Sequence, residues 1–287
     1  MVYDDAEFLK IWLRYWTARL PAKSLYVLVH GAREEMMDLV QGATRIPLHR
    51  PEPYKNMEED RWHMLSGLAS GLSHMHSTVV YTDVDEILLV DPDVNEDIVQ
   101  TLIDLPDPVT TPYGIELIHR TDREPNLLDL SGNVLEQRSL VRATNFYCKP
   151  CIIKQPVSWG RGGHFSSYEN VHFKAGLFNL HLRFMDEGLF MQRATKRRRT
   201  TFTNLKINTT DRRRWRTSED AAKEYLKRHI AYPVANNDDR APDMSHVVRP
   251  IVRRASMKDT NMGKLRTFPF REAEALQVLP PRFRQLV

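Results

Sequence analysis

The chain has 287 residues, 41% of them hydrophobic, enough for one large core or for one domain with an appendage. Two cysteines in that length exclude a disulfide scaffold, and no apolar run reaches the length that crosses a bilayer. The net charge of +4 is mild but uneven: Arg193, Lys196, Arg197, Arg198, Arg199, Lys206, Arg212, Arg213, Arg214 and Arg216 face a single acid, Asp211, whereas the part before residue 120 is acidic by comparison.

The start, Met1-Val2-Tyr3-Asp4-Asp5, is acidic and then amphipathic, without the basic and apolar zones of a secretory signal, so a cytoplasmic location is expected. Asp4 with Glu7 three residues later fits a capping box, and Phe8, Leu9, Trp12, Trp16 and Leu20 recur at helical spacing up to Pro21. Leu25-Tyr26-Val27-Leu28-Val29 reads as a buried strand stopped by Gly31. A helix over 34–41 and a strand over 44–48 follow. Asn56, with Glu59 three residues on, is placed to cap a third helix whose inner face is Trp62, Leu65, Leu68, Leu72 and Met75. Thr78-Val79-Val80-Tyr81-Thr82 is a strand by its β-branched and aromatic content. This alternation is that of an open α/β sheet, in which ligands sit at the carboxyl ends of the strands. A short helix is expected near 95–103. Short strands of an antiparallel or mixed sheet should fill 108–182, with helices through about residue 193 and near 218–230. The polar stretch 232–268 reads as loop.

The acidic turn Asp83-Val84-Asp85-Glu86 falls at the carboxyl end of the Val79–Val80 strand. On extended backbone the alternation puts the Asp83 and Asp85 carboxylates on one side and Glu86 on the other. Two carboxylates aimed at one point repel unless a cation lies between them, and all-oxygen ligation favours Mg²⁺ or Mn²⁺, which complete their shells with substrate phosphates. Such an ion would neutralise charge growing on a leaving diphosphate. A solvated acidic turn and a haloacid-dehalogenase-like phosphatase with Asp83 as nucleophile are the competing readings of these residues alone. The phosphatase motif usually opens its chain and continues into Gly-Thr or Thr, unlike Glu-Ile-Leu here, and Asp238-Asp239 lies in a polar stretch.

The segment 79–88, with its Asp83-Val84-Asp85-Glu86 core, resembles the "DVDEF" segment of bacterial family 2-like glycosyltransferases. Further resemblances follow in order. Tyr3-Asp4-Asp5-Ala6-Glu7-Phe8-Leu9 with Trp12 and Tyr15 is similar to the family's first helix, and Pro112-Tyr113-Gly114-Ile115-Glu116 to its "GFEV" strand. Tyr147-Cys148-Lys149-Pro150 resembles a "YxKP" element, 159–164 a "W..G.H" element, and Leu180-His181-Leu182-Arg183-Phe184-Met185-Asp186 an "LHLKRMD" element. The resemblance spans roughly residues 3–190 and implies a GT-A-like fold, a Rossmann-like open mixed sheet flanked by helices. Domain bounds of 1–195 for the catalytic part and 196–287 for a basic, mainly helical extension are expected.

The resemblance also implies a metal-dependent, inverting glycosyltransferase that moves a sugar from a UDP- or GDP-linked donor to a hydroxyl of a glycan or glycolipid. It carries over Asp83 as a nucleotide or metal contact, Asp85 as metal ligand and His181 as a third ligand. By chain order Asp186 and Glu187 are the candidate general bases, with Glu116 the runner-up. Lys149, Arg183 and His164 are candidate contacts to phosphates or acceptor. In the family a strand precedes the first helix, and here it would have to lie before Tyr3.

Cys148-Lys149-Pro150-Cys151 has the spacing of a redox pair, but the flanking Pro150 and Ile152-Ile153 suggest a strand edge, and a zinc site would need two more ligands such as His164 and His172. The 193–216 basic cluster has few aromatics, Phe202 and Trp215, and matches no nucleic-acid module, so no nucleic-acid partner is expected; a non-enzymatic nucleic-acid-binding protein is the alternative it leaves. A solvated basic face explains the cluster, and a peripheral contact with the inner face of an anionic membrane is its specific reading.

Overall fold

The computed structural model describes residues 1–51, 54–199, 219–237 and 239–287. Helix α1, Ala6–Thr17, buries Phe8, Leu9, Ile11, Tyr15 and Trp16, one stripe at helical spacing. It ends before Pro21, and its cap residue Asp5 makes no side-chain capping bond, so the expected capping box is not formed. Strands β1, Tyr26–His30, and β2, Thr44–Leu48, pair in parallel with α2, Glu34–Leu39, between them. Val2 adds a parallel bridge to Val29: its N–H donates 2.8 Å to the Leu28 carbonyl, and the His30 N–H donates 2.8 Å to the carbonyl of Val2.

Helix α3, Met57–Ser73, buries Trp62, Leu65, Ser66 and Ala69. It stops one turn short of the expected inner face, leaving Met75 81% exposed. Asn56 sits at the cap position without a side-chain bond. The expected strand at 78–82 shortens to β3, Val79–Val80, because the chain leaves the sheet to form the acidic turn.

The remaining elements build a mixed sheet. Strand β4, Glu86–Val90, is buried throughout; α4, Ile98–Ile103, follows, its first turn capped by the Asp97 carboxylate. Then come β5, Val109–Ile118; α5, Val134–Gln137; β6, Leu140–Ala143; β7, Ile152–Ile153; and β8, Phe173–Phe184. β5 pairs with β8 in parallel and with β6 and β7 antiparallel, β8 pairs with β4, and β7 pairs with β3. The antiparallel or mixed character expected for 108–182 is therefore present. Gly114 lets β5 approach the helical turn Asn145–Tyr147: a Cβ there would lie 2.3 Å from the Thr144 carbonyl oxygen. At Gly176, with φ +75°, β8 bends where a Cβ would strike Val94 at 2.6 Å.

Helix α6, Glu187–Arg199, starts directly after β8 with the Asp186 carboxylate accepting from the Leu189 N–H at 2.9 Å. Helix α7, Glu219–Ile230, packs Ala222 and Leu226 against Ile118, Phe184 and Phe190. The stretch 232–268, expected as loop, instead contains helix α8, Ser245–Arg254, and a hairpin of β9, Ser256–Thr260, and β10, Gly263–Thr267. Val247 and Ile251, four residues apart, bury one face of α8 around its internal Pro250. Strand β11, Gln277–Val278, pairs with β6, and Leu279, Phe283 and Val287 join the same core as Ile87 and Leu180. The C-terminal part thus contributes both to the main sheet and to its core.

Among the described residues no helix is long and apolar enough to cross a membrane. The side chains of Arg197, Arg198 and Arg199 and residues 200–218, with Phe202, Lys206, Asp211, Arg212, Arg213, Arg214, Trp215 and Arg216, lie outside the described residues, as does Asp238.

Candidate functional site: an acidic turn closed by internal cations

The turn after β3 does not keep the extended alternation. Val84 and Asp85 turn the chain, and the Glu86 N–H donates 3.0 Å to the Asp83 carbonyl. Asp83 and Asp85 consequently address different partners, and Glu86, expected on the opposite side, joins Asp83. The Lys149 ammonium, 3% exposed, lies 2.7 Å from Asp83 Oδ2 and 2.5 Å from Glu86 Oε1. The Tyr81 hydroxyl donates to Asp83 Oδ1 at 2.8 Å. Asn179 donates through Nδ2 to Glu86 Oε2 at 3.3 Å and to the Tyr147 carbonyl at 3.1 Å.

Asp85 meets a second cation. Arg193 of α6 pairs through Nη1 with Asp85 Oδ2 and through Nε with Asp5 Oδ1, the latter at 2.6 Å. His181 Nε2 is 3.5 Å from the same Asp85 oxygen, and its Nδ1 is 3.0 Å from Glu116 Oε1. The Tyr147 ring stacks on the imidazole at 3.8 Å. Behind it, Arg142 pairs with Glu116 at 3.0 Å and with Glu272 at 2.8 Å.

These contacts set the ionisation of the cluster. Burial and Asp85 would raise the Asp83 pKa, but the charge and hydrogen bond of Lys149, with the N-terminal ammonium of Met1, together hold the carboxyl well below its usual range. Burial likewise opposes the Asp85 charge, and Arg193 and His181 overcome it. Glu86, the most enclosed of the three, is pushed up by burial in spite of Lys149 and with Asp83 adding to the rise. Burial pulls Lys149 down, yet Asp83 and Glu86 raise it above its ordinary value. For His181 burial is outweighed by Asp85 and Glu116, which favour the imidazolium with both ring N–H groups donating.

A basic rim borders the turn. Arg50 stacks on the Tyr3 ring at 3.5 Å, and its buried Nη1 has no hydrogen-bond partner among the described residues. Burial, then Arg50 and Arg61, push His30 down to about 4. Arg61 also acts on Tyr81, beside Asp83, so one cation links rim and turn.

The other expected site residues are distributed around this centre. Asp186 caps α6 and lies 3.5 Å from Arg138 and 4.0 Å from His119. Glu187 is exposed at the start of α6. Glu116 is enclosed by His181 and Arg142. Arg183 lies over the rings of Phe184, Phe190 and Tyr225, and His164 bonds the Phe146 carbonyl at 2.7 Å within a cluster holding Phe165 and Phe270. The cysteines are free and buried, with Cys148 pushed up to about 12 by burial.

Sequence reasoning missed Glu86, Asn179, Asp5 and the role of Arg193. Asn179 had a readable signal, being two residues before His181 on one strand and so on the same face. The expected Mn²⁺ or Mg²⁺ does not fit the donors as arranged. Asp83 is committed to Tyr81 and Lys149, His181 directs both nitrogens at carboxylates, and Asp85 carries Arg193. Among the described residues no group of three His, Cys, Asp or Glu side chains is disposed to hold a metal ion. Comparison of the chain with protein-family profiles, with curated proteins and with solved structures finds no match.

Proposed function

We propose that the protein is a glycosyltransferase of GT-A type that binds a nucleoside-diphosphate sugar at the acidic turn and transfers the sugar to a glycan or glycolipid hydroxyl with inversion. The observation that supports this reading is the Asp83–Glu86 turn at a strand end together with two nearby cations: Arg50, just past β2, with a buried donor that has no partner among the described residues, and Arg61 of α3, which pairs with Glu58 and acts on Tyr81 beside Asp83. Strand ends of an open α/β sheet are where ligands bind. Cations fixed in a partly dry crevice stabilise a diphosphate more than the same cations in water, because they need no reorganisation when charge develops.

The residues then divide the work. Arg50 and Arg61 face the donor phosphates, with Tyr3 offering a ring beside them. Lys149 holds Asp83 and Glu86 in register, and Arg193 together with His181 keeps Asp85 ionised. Asp186 is assigned the acceptor proton: it precedes Arg193 by seven residues, hence on one face of α6 and about 10 Å along its axis. Glu187, one position on, points away from that face, and Glu116 is enclosed by His181 and Arg142. No step is assigned to a divalent ion.

The test is a melting-temperature screen of the full chain with UDP, GDP and the matching monophosphates, with and without Mn²⁺, followed by release of nucleoside diphosphate from sugar donors. Stabilisation by one diphosphate above its monophosphate, and release stimulated by a glycan acceptor and lost in Asp85→Asn, are expected. Hydrolysis of a simple phosphomonoester abolished by Asp83→Asn, with no diphosphate effect, would replace the reading by a phosphatase. Salt-sensitive oligonucleotide binding without either would replace it by nucleic-acid binding.

A further inference from the structure

The environment of Arg193 carries an inference that holds whatever reaction the centre performs. The side chain reaches across from α6 to Asp85 on the acidic turn, 108 residues away in sequence. Its Nε sits 2.6 Å from Asp5 Oδ1 at the start of α1, and its guanidinium lies 4.7 Å over the Phe8 ring. Only 12% of the side chain is exposed. A planar guanidinium bridging two carboxylates in a fork is held at both ends, whereas an ammonium is a single point charge and holds one. The Asp85 oxygen that Arg193 takes is also the one nearest His181 Nε2, at 3.5 Å. Asp5 and Asp85 therefore flank one cation that the chain supplies itself, and His181 lies beside the Asp85 oxygen which that cation takes.

We propose that Arg193 is the resident cation of the Asp5–Asp85–His181 centre and that it excludes a divalent ion from it. A metal enters only by displacing the guanidinium from both carboxylates, and that displacement frees α6 from α1 and from the turn. Removing the guanidinium leaves the Asp5 and Asp85 carboxylates without the cation they share. Carboxylate oxygens left without a counter-charge are hard donors of the kind that attract Mn²⁺. Metal occupancy and the anchoring of α6 are then opposing states of one position.

The probe is Mn²⁺ alone, titrated into the full chain without nucleotide and followed by the electron paramagnetic resonance signal of free Mn²⁺. Arg193→Met is expected to bind one Mn²⁺ about tenfold or more tighter than the natural chain, since the ion no longer has to break a buried pair. Adding Asp85→Asn should reverse the gain. Arg193→Lys, which keeps the charge but cannot bridge both acids, should show a smaller gain and guards against a folding defect in the methionine variant. In the natural chain, Mn²⁺ high enough to bind should speed amide hydrogen exchange across α6. Equal Mn²⁺ affinity in natural chain, Arg193→Met and Arg193→Lys would overturn the proposal. So would a gain indifferent to Asp85→Asn, or tight Mn²⁺ binding that leaves α6 exchange unchanged. None of these readouts involves sugar transfer, so failure here and failure of the transferase reading are distinguishable.

Discussion

Lys149→Met removes the cation shared by Asp83 and Glu86 while keeping the length and most of the volume of the side chain. Glu86 is 1% exposed and would be left as a buried carboxyl with long donations from Asn179 at 3.3 Å and from the Asp83 N–H at 3.5 Å, whereas Asp83, 36% exposed, keeps Tyr81 and access to water. Breaking a buried pair by deleting one partner costs about 3–5 kcal/mol, and the solvent reach of Asp83 places this case near the lower end, about 3 kcal/mol at pH 7.5. The loss must depend on pH. Without Lys149 the Glu86 carboxyl, already raised by burial, rises further. Between the ordinary carboxyl pKa and that raised value the folded chain holds more protons than the unfolded one, so stability falls as pH rises through the window and recovers as pH falls. Urea unfolding followed by tryptophan fluorescence at pH 5 and pH 7.5 measures both terms. The variant should be closer to the natural chain at pH 5, and Lys149→Met combined with Glu86→Gln should recover part of the loss at pH 7.5. A deficit equal at the two pH values, or no recovery in the double variant, would refute the account of Lys149 as the counter-charge of Glu86.

Two further outcomes follow from the same geometry. His30 has its folded pKa depressed from 6.5 to about 4 by burial and by Arg50 and Arg61, so the unfolded chain takes up the proton first and stability is lost as pH falls from about 6.5 towards 4; His30→Asn should flatten that part of the urea-midpoint profile. Gly114→Ala would put a methyl group 2.3 Å from the Thr144 carbonyl and 2.6 Å from the Tyr147 backbone, and should lower stability by about 1–3 kcal/mol and weaken diphosphate binding, because Tyr147 and Lys149 are displaced with that turn. Gly176→Ala, which meets the Val94 side chain instead, should lower the melting temperature while leaving diphosphate binding in place. Equal effects of the two alanines on binding would separate Gly114 from the site.

The first third of the fold was legible because its periodicities are strong: α1, β1 and α3 form where they were read, although only Trp62 and Leu65 of the expected α3 face are buried and Met75 lies past its end, 81% exposed. Legibility failed where a local rule was overridden. Pro250 reads as a helix breaker, yet Val247 and Ile251 gain enough burial to hold α8 around it. The β9–β10 hairpin is mostly exposed and so carries no hydrophobic alternation. At the site, the acidic turn, Lys149 and His181 could be picked from short motifs, but their pairing could not. The turn at Val84 and Asp85 moves Glu86 to the side of Asp83 and reverses the expected partners. Arg193 stood in the sequence as one of many basic residues. Its place beside Asp85 depends on how β8 delivers α6 against α1, which no local pattern encodes.

Asp85, His181, Glu116, Arg142 and Glu272 alternate in sign along a file that begins at the acidic turn and ends at a side chain 34% open to solvent. Its outermost member is contributed by the segment that bridges Thr144 to Glu272 shortly before β11. His181, Glu116 and Arg142 each sit between two opposite charges, and the far end of the file is closed by a residue 91 positions after His181. The tail behaves as a keystone for the electrostatics of the centre. Partial fraying of residues near 272 would take one of the two carboxylates from Arg142 and loosen its hold on Glu116, the partner of His181 Nδ1, without touching a residue of the turn.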